Sequence, residues 1–224
     1  MKSNLLTRKL NPMGTFSDGI LGGFSGSVGP VVGSSWKGVQ VMRAKPSGKR
    51  RKSTDGQLRQ MAKMKLMSGF LSPMIGLLNK TYDSVTVHMS CFNKALSYNM
   101  RNAVTGDYPA FTVNFEQLIL GSGDLLNVKM LRVVSSSVGT LSFIWKDNGN
   151  EGSARATDQA FVAVYCEILN QWKTSDQGSL RIAGSYTLDV TEFSGKAVHG
   201  YIGFLSADGK FVSTSLYTGL VNIL

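Results

Sequence analysis

Apolar and polar residues alternate with period two along most of the chain after Pro109, a spacing that is typical of strands with one buried face. Turn-forming groups rich in Gly, Asp and Asn separate the alternating segments. The strands that this pattern predicts are Phe111–Phe115, Gln117–Leu120, Lys129–Val134, Thr140–Trp145, Ala160–Ile168, Ser185–Val190, Val198–Leu205 and Val212–Val221. Seven or eight short strands joined by turns, with a hairpin signal at Ser206–Lys210, predict an Ig-like antiparallel β-sandwich over residues 110–224. We expect this region to be stable as a fragment on its own.

A helical pattern precedes the strands and occupies residues 54–109. Thr54 and Gln57 match a capping box, which indicates the start of a helix. Apolar residues then recur at steps of mostly three or four, as in an amphipathic helix. These residues are Leu58, Met61, Met64, Met67, Phe70, Leu71 and Met74. Ser72-Pro73 either kinks this helix or begins a second one. The segment therefore holds two or three helices, the last one predicted at His88–Ala103.

The residues before the helical segment form a glycine-rich and basic arm. Eight glycines lie in the 25 positions Gly14–Gly38, a content that is unfavourable for a helix. Apolar residues lie between the glycines, so the segment is also too apolar for a free linker. We expect an extended ribbon or looped clamp that lies on another surface, followed by a short strand at Val39–Met42. The predicted fold class is α+β, mainly β, with the arm at 1–53, the helices at 54–109 and the sandwich at 110–224.

The net charge of +10 is concentrated near the N-terminus. Residues 1–80 hold 14 of the 24 Lys and Arg residues but only two of the 14 Asp and Glu residues. The densest part is residues 43–52, where Pro and Gly favour an exposed loop. Its six cationic residues are Arg43, Lys45, Lys49, Arg50, Arg51 and Lys52. Such a loop either contacts a polyanion, namely nucleic acid or an acidic protein face, or is a solvated surface. Phe24 and Trp36 are near enough in sequence to stack on bases, although no known RNA- or DNA-binding signature accompanies them.

Composition excludes several protein classes. No apolar run approaches the ~20 residues that span a bilayer, so we expect no membrane partner. Met1–Pro12 lacks the apolar core of a secretion signal, and we expect a cytoplasmic protein or a virion component. Cys91 and Cys166 are too few for a disulfide framework or a multi-cysteine zinc site. We expect both cysteines to behave as small buried hydrophobes.

The sequence offers no motif for catalysis, and we predict no catalytic residue, cofactor or metal ligand. A Walker loop, a Gly-x-Gly-x-x-Gly fingerprint and a Gly-x-Ser-x-Gly elbow are all absent from it. His88 and His199 have no recognisable partner motif, so we expect a structural role for each. Asp147, Glu151 and Asp158 could bind calcium, but their spacing does not match an EF-hand loop. Solvated turn acids are the favoured interpretation of these three residues.

Three stretches of the chain stand in a distinctive order and spacing. They are Phe24–Gly38, then Phe92–Ala95 followed by Thr105–Pro109, and finally Phe204–Lys210. Over about residues 13–224, they resemble a functionally uncharacterised family from Bacteroidota whose members are of about this length. Members of that family often begin with Met-Gly, which Met13-Gly14 matches here. The resemblance implies a glycine-rich N-terminal motif followed by an Ig-like domain, and it implies no catalytic residues.

These features favour a non-enzymatic structural or assembly protein that self-associates through its arm. The arm is too hydrophobic to remain solvated, so we expect it to dock on its own body or on a neighbouring subunit of a homo-oligomer. The anchors expected at that contact are Phe24, Val31, Val32 and Trp36, with Trp36 central because its contact area is the largest. A phage or prophage virion component, capsid or tail, is the expected setting. The alternative is a nucleic-acid-binding protein that uses the basic segment, with the sandwich as its scaffold.

Overall fold

The chain divides into two compact units, residues 1–52 and residues 53–224. The structure is a computed structural model. The described residues are 14–16, 19, 22–36, 38–46, 52–82 and 89–224. Both units contain strands, and the helices lie in the second. The predicted fold class, α+β and mainly β with an Ig-like sandwich, is confirmed by the sheets described below.

A four-stranded antiparallel sheet, which we call the N-terminal sheet, forms the first unit. Its strands lie side by side in chain order and are β1 (Thr15–Phe16), β2 (Phe24–Val28), β3 (Val31–Trp36) and β4 (Val39–Ala44). Gly29 has a φ of +55°, and the next residue, Pro30, has the negative φ that its ring imposes. A positive and then a negative φ is typical of a type II′ hairpin turn, here between β2 and β3. The ribbon or clamp expected here is instead a paired meander, because the backbone groups of these strands bond to one another. The last strand also includes Arg43 and Ala44, which the sequence placed in the basic loop.

Three helices begin the second unit. They are α1 (Asp55–Leu71), α2 (Ile75–Thr81) and α3 (Cys91–Asn102). The predicted capping box is confirmed, since Thr54 Oγ1 accepts a hydrogen bond from the Gln57 N–H and Gln57 Oε1 accepts one from the Thr54 N–H. Ser72-Pro73 opens a 3₁₀ turn that joins α1 to α2. Ser90 caps α3 in the same manner as Thr54 caps α1, through the N–H of Asn93.

The sandwich consists of two antiparallel sheets built from seven strands. In chain order these strands are β7 (Lys129–Val134), β8 (Thr140–Lys146), β9 (Gln159–Cys166), β10 (Gln171–Ser175), β11 (Ser185–Asp189), β12 (Ala197–Leu205) and β13 (Leu216–Asn222). One sheet has the order β10-β9-β12-β13, and the other has the order β11-β8-β7. Neighbours that are distant in sequence, such as β9 with β12 and β8 with β11, give the crossed connections of an Ig-like sandwich. Val104–Thr105 and Thr112–Val113, the remaining β5 and β6, form a separate two-stranded ribbon.

Alternate residues of β9 and β12 belong to two different hydrophobic cores. The core between the two sheets contains Val162 of β9 and Phe143 of β8. The core on the outer face of the same sheet contains Phe161 and Tyr201, which pack with helix residues such as Leu71. The helices therefore cover one outer face of the sandwich. The second unit has three layers, and the sheet that contains β9 and β12 is the middle one.

The strand predicted at Gln117–Leu120 is wrong. Side chains, rather than a neighbouring strand, satisfy its backbone: Asn99 Oδ1 accepts from the Ile119 N–H at 3.0 Å. The hydroxyl of Ser215 accepts from the Leu120 N–H at 2.8 Å. The alternating apolar residues of this segment are nevertheless buried. Leu120 lies in the core between the sheet and the helices, which we call the helix-side core. Its hydrogen-bond partners come from distant parts of the chain, which the local pattern does not specify.

Candidate assembly surface

The candidate assembly surface lies on the hairpin of β3 and β4. Trp36 is the direct partner of Val39, and Ser34 is the direct partner of Val41. Because directly opposed residues of an antiparallel pair point to the same side of the sheet, one face of the hairpin can be read from this register. We call it the Trp36 face, and its residues are Val32, Ser34, Trp36, Val39, Val41 and Arg43.

Large apolar side chains are exposed on the Trp36 face. Trp36 is 63% exposed, Val39 55% and Val41 44%. Among the described residues of the N-terminal sheet, Gly33 alone is buried. A sheet of three or more strands ordinarily gains its stability from an apolar face that packs against another layer. The Trp36 face therefore has the composition of a packing surface but the exposure of a free one.

Phe24 covers part of the opposite face of the hairpin. A Cβ added to Gly33 would lie 2.3 Å from the carbonyl oxygen of Phe24 and 2.7 Å from atoms of its ring. The ring of Phe16 packs in turn on Phe24, with 5.6 Å between the ring centroids. Phe24 is therefore half-buried by contacts within the sheet, and Val31 and Val32 are half-buried as well. Of the four predicted anchors, Trp36 is the exposed one.

The residues predicted to contact a polyanion are described in part. Arg43 is exposed on the Trp36 face, Lys45 is exposed just after β4, and Lys52 is exposed before α1. The other three lie outside the described residues: Lys49, Arg50 and Arg51. In sequence, residues 1–52 contain ten Lys and Arg residues and a single acidic residue, whereas residues 53–224 contain 14 basic and 13 acidic residues. The first unit therefore carries a positive potential, which attracts polyanions and opposes the approach of a second copy at low ionic strength.

The acidic residues considered as calcium ligands are engaged by the protein itself. Asp158 is buried, and one of its carboxylate oxygens lies 3.1 Å from Nε of Arg181. Glu151 pairs with Lys129, and Asp147 accepts a hydrogen bond from the backbone two residues ahead. Within the described ranges, no three His, Cys, Asp or Glu side chains come together as a metal site.

Arg181 is a buried cation that the sequence did not reveal. Three of its nitrogens donate hydrogen bonds, to Asp158, to Asn148 Oδ1 at 2.8 Å and to the carbonyl of Leu126 at 2.8 Å. Its guanidinium carbon lies 4.1 Å from the ring centroid of Phe204, a cation–π contact. Burial lowers the pKa of Arg181, and the charge of Asp158 opposes that shift. With its donors used inside the fold, this group is a structural crosslink of the sandwich.

His199 lies on β12 and is buried against the segment that follows β6. Its ring stacks on Phe115 with 3.8 Å between centroids, and its Nδ1 lies 2.8 Å from the hydroxyl of Tyr217. Burial lowers the pKa of His199, and the nearby carboxylate of Glu167 opposes that shift. Its stacked, buried ring has the environment expected for a structural histidine. The other histidine, His88, lies outside the described residues.

Surface cavities of the second unit are lined by polar and apolar side chains together. One of them has a volume of about 650 Å³, and an ion pair between Lys80 and Asp176 lies at its wall. Cys166 is buried in the core between the sheets, and Cys91 packs partly buried against the helix-side core. Both cysteines therefore contribute to packing. No helix in the described part of the chain is long and apolar enough to cross a membrane.

Comparison with known proteins identifies a family and similar folds. A family of unknown function, DUF6266, matches residues 23–219. No curated protein matches the chain. The solution structure of the fn3 domain of human collagen alpha-1(XX) chain is similar at 14% identity, with 46% of this chain and 91% of that chain covered and a TM-score of 0.34. A β-sandwich protein from a computer-based redesign is similar at 14% identity, with 45% and 94% covered and a TM-score of 0.33. The strand order of the two sheets defines the sandwich independently of these likenesses.

Proposed function

The chain belongs to this family of unknown function, and we propose that it is a non-enzymatic structural protein that self-associates through its N-terminal sheet. The observation that carries the proposal is the exposure of Trp36, Val39 and Val41 side by side on one face of β3 and β4. Fully burying one large apolar side chain stabilises a contact by roughly 1.5–3 kcal/mol. A neighbouring subunit that covers this face would therefore supply the packing layer that the sheet lacks.

The setting that we propose is a phage or prophage virion, as a capsid or tail component. Repeated copies of one chain assemble there through symmetric contacts. The division into two units suits such a role, because a compact body of helices and sandwich is joined to a smaller unit with an exposed contact face. This part of the proposal is an analogy with assembled shells and tubes, and it names no catalytic residue.

Replacement of Trp36 tests the proposal. Trp36→Ala removes the largest exposed side chain of the face, and we expect the concentration for half-maximal assembly to rise about tenfold or more. Sedimentation velocity over a concentration series measures that change. Trp36→Phe, which keeps an aromatic ring, should shift assembly less. Val138→Ala, at an exposed apolar position of the second unit, should leave assembly unchanged. Equal assembly of the Trp36→Ala and unaltered chains would contradict the proposal.

A second candidate function is the binding of nucleic acid by the basic segment. It is favoured by Arg43, which is exposed on the same face as Trp36 and so could bind a phosphate while the indole stacks on a base. Retention of DNA and RNA against salt concentration tests this candidate, because each lost phosphate contact lowers the salt dependence. The variant for this measurement replaces four cations with Ser: Lys49, Arg50, Arg51 and Lys52. An unchanged slope would leave this segment as a solvated surface.

A further inference from the structure

We propose that two copies of the chain associate by pairing β4 edge to edge with β4 of the second copy, antiparallel, with Val41 opposite its own counterpart. The inference rests on the proposed self-association and names its contact. The two N-terminal sheets then join into one continuous sheet of eight strands.

The first argument is the open edge of β4. It is the outer strand of the N-terminal sheet, and all six of its residues are exposed. In the described part of the chain, the strand that pairs with β4 is β3, so the backbone groups on its outer side have no strand partner. An exposed row of unpaired N–H and C=O groups is a template for another strand.

The second argument is that β4 lacks the features that usually protect an edge. Natural edge strands are shortened, bulged, interrupted by proline, or carry several charged side chains. β4 contains no proline, and its register with β3 runs without a shift from Val39 to Ala44. Its one charged residue is Arg43, near the end of the strand. The opposite edge of the sheet, β1, is only Thr15–Phe16 and offers little backbone for pairing.

The third argument is the register. A two-fold axis perpendicular to the sheet keeps the same face of both copies on the same side, so each residue must pair with one on its own face. Centring the pair on Val41 sets Val39 opposite Arg43 and Gln40 opposite Met42. Centring it on Arg43 would set two like charges opposite each other, which is destabilising. This symmetry places the two Trp36 faces on the same side, and the Val41 register sets Val39 and Val41 of the two copies next to one another.

Ionic strength separates this contact from polyanion binding. The excess of basic residues in 1–52 makes two copies repel each other. Added salt screens that repulsion, so pairing of β4 should strengthen with salt. Binding of nucleic acid releases counterions and should weaken with salt.

Single cysteines along β4 test the pairing directly. Val41→Cys is made in a Cys91→Ser background, since the remaining Cys166 is buried. Opposed residues in an antiparallel pair lie within the Cα separation of a disulfide. We expect mild oxidation of Val41→Cys to give a covalent dimer on a non-reducing gel. Val39→Cys and Gln40→Cys should each give much less dimer, whereas a mixture of Val39→Cys with Arg43→Cys should restore it.

The outcomes distinguish this contact from self-association in general. An oligomer in solution whose Val41→Cys form does not crosslink would overturn the β4 pairing and leave the proposed function standing. A chain that stays monomeric at every concentration and salt level would overturn both. Equal crosslinking at residues 39, 40 and 41 would overturn the register, because it indicates contact without a fixed pairing.

Discussion

The carbonyl group and ring of Phe24 lie directly over Gly33, so close that the site has no room for a side chain. A Cβ on Gly33 would meet the Phe24 carbonyl oxygen at 2.3 Å, a distance that real Cβ atoms essentially never show. The contact packs Phe24 of β2 against Gly33, on the face of the hairpin opposite Trp36. Both faces of the hairpin carry an exposed apolar side chain, Met42 at 67% on the Phe24 side and Trp36 at 63% on the other.

Gly33→Ala should open the N-terminal sheet without affecting the second unit. The new methyl group would displace Phe24. Both the carbonyl oxygen and the ring of Phe24 lie at this contact, so a rotation of the side chain alone cannot relieve it. We expect hydrogen exchange of the β2 and β3 amides to speed up while the thermal midpoint of the second unit stays the same. Ser34→Ala, at the next and exposed position, is the matched control. Unchanged exchange at Val32 in the Gly33→Ala chain would show that the contact is dispensable.

Arg181→Met should destabilise the sandwich strongly. It removes the partner of the buried Asp158 carboxylate and three donated hydrogen bonds. Breaking a buried ion pair by removing one member costs about 3–5 kcal/mol. Denaturant unfolding of the full chain measures the loss, and Arg132→Met on the exposed side of β7 is the control. A loss no larger than that of the control would contradict the structural role of this group.

Features that depend on neighbouring residues could be predicted from the sequence. The capping box of Thr54 and Gln57 starts α1 because its partners are three residues apart. Strands such as Lys129–Val134 follow from alternation, and the turn at Ser206–Lys210 from its Asp-Gly pair. The sequence shows that Trp36 is a large apolar residue, but its place in a paired sheet could not be predicted from it.

Features that depend on distant residues could not be predicted. Leu180 and Ile182 are exposed while Arg181 between them is fully buried, the reverse of what their polarity indicates. The reason is that partners far along the chain satisfy the guanidinium. The strand β10 is polar and has little alternation, and it is held by pairing with β9 and by Trp172, whose Nε1 donates to the carbonyl of Phe70.

The fragment 110–224, expected from the sequence to be stable alone, should not be. Without the helices, the outer face of β9 and β12 would expose Phe161 and Tyr201, which are buried in the helix-side core. We expect residues 53–224 to melt cooperatively, as one compact unit. Residues 110–224 should melt at a markedly lower temperature or aggregate. Circular dichroism melts of the two fragments make the comparison, and equal midpoints would show that the helical layer adds no stability.

Acidification should weaken the fold through His199. Burial holds the pKa of His199 below its ordinary value of 6.5, with Glu167 opposing, so the unfolded chain binds a proton more readily than the folded one. The stability that the fold gains from a neutral His199 is therefore fully present above pH 6.5, and it is lost as the pH falls from there through the pKa of the folded state. Thermal midpoints between pH 8 and 5 measure it, and His199→Gln should flatten that part of the profile. An identical slope in the variant would assign the pH dependence to other groups.

The mass of the chain in solution, with and without residues 1–52, tests the central claim most directly. Light scattering coupled to size exclusion should give the full chain a mass that is a multiple of 24.2 kDa and that rises with concentration and salt. Residues 53–224, which form a compact unit by themselves, should remain monomeric under the same conditions. A full chain that stays at 24.2 kDa, or a truncated chain that keeps the full chain's oligomeric state, would contradict assembly through the N-terminal sheet.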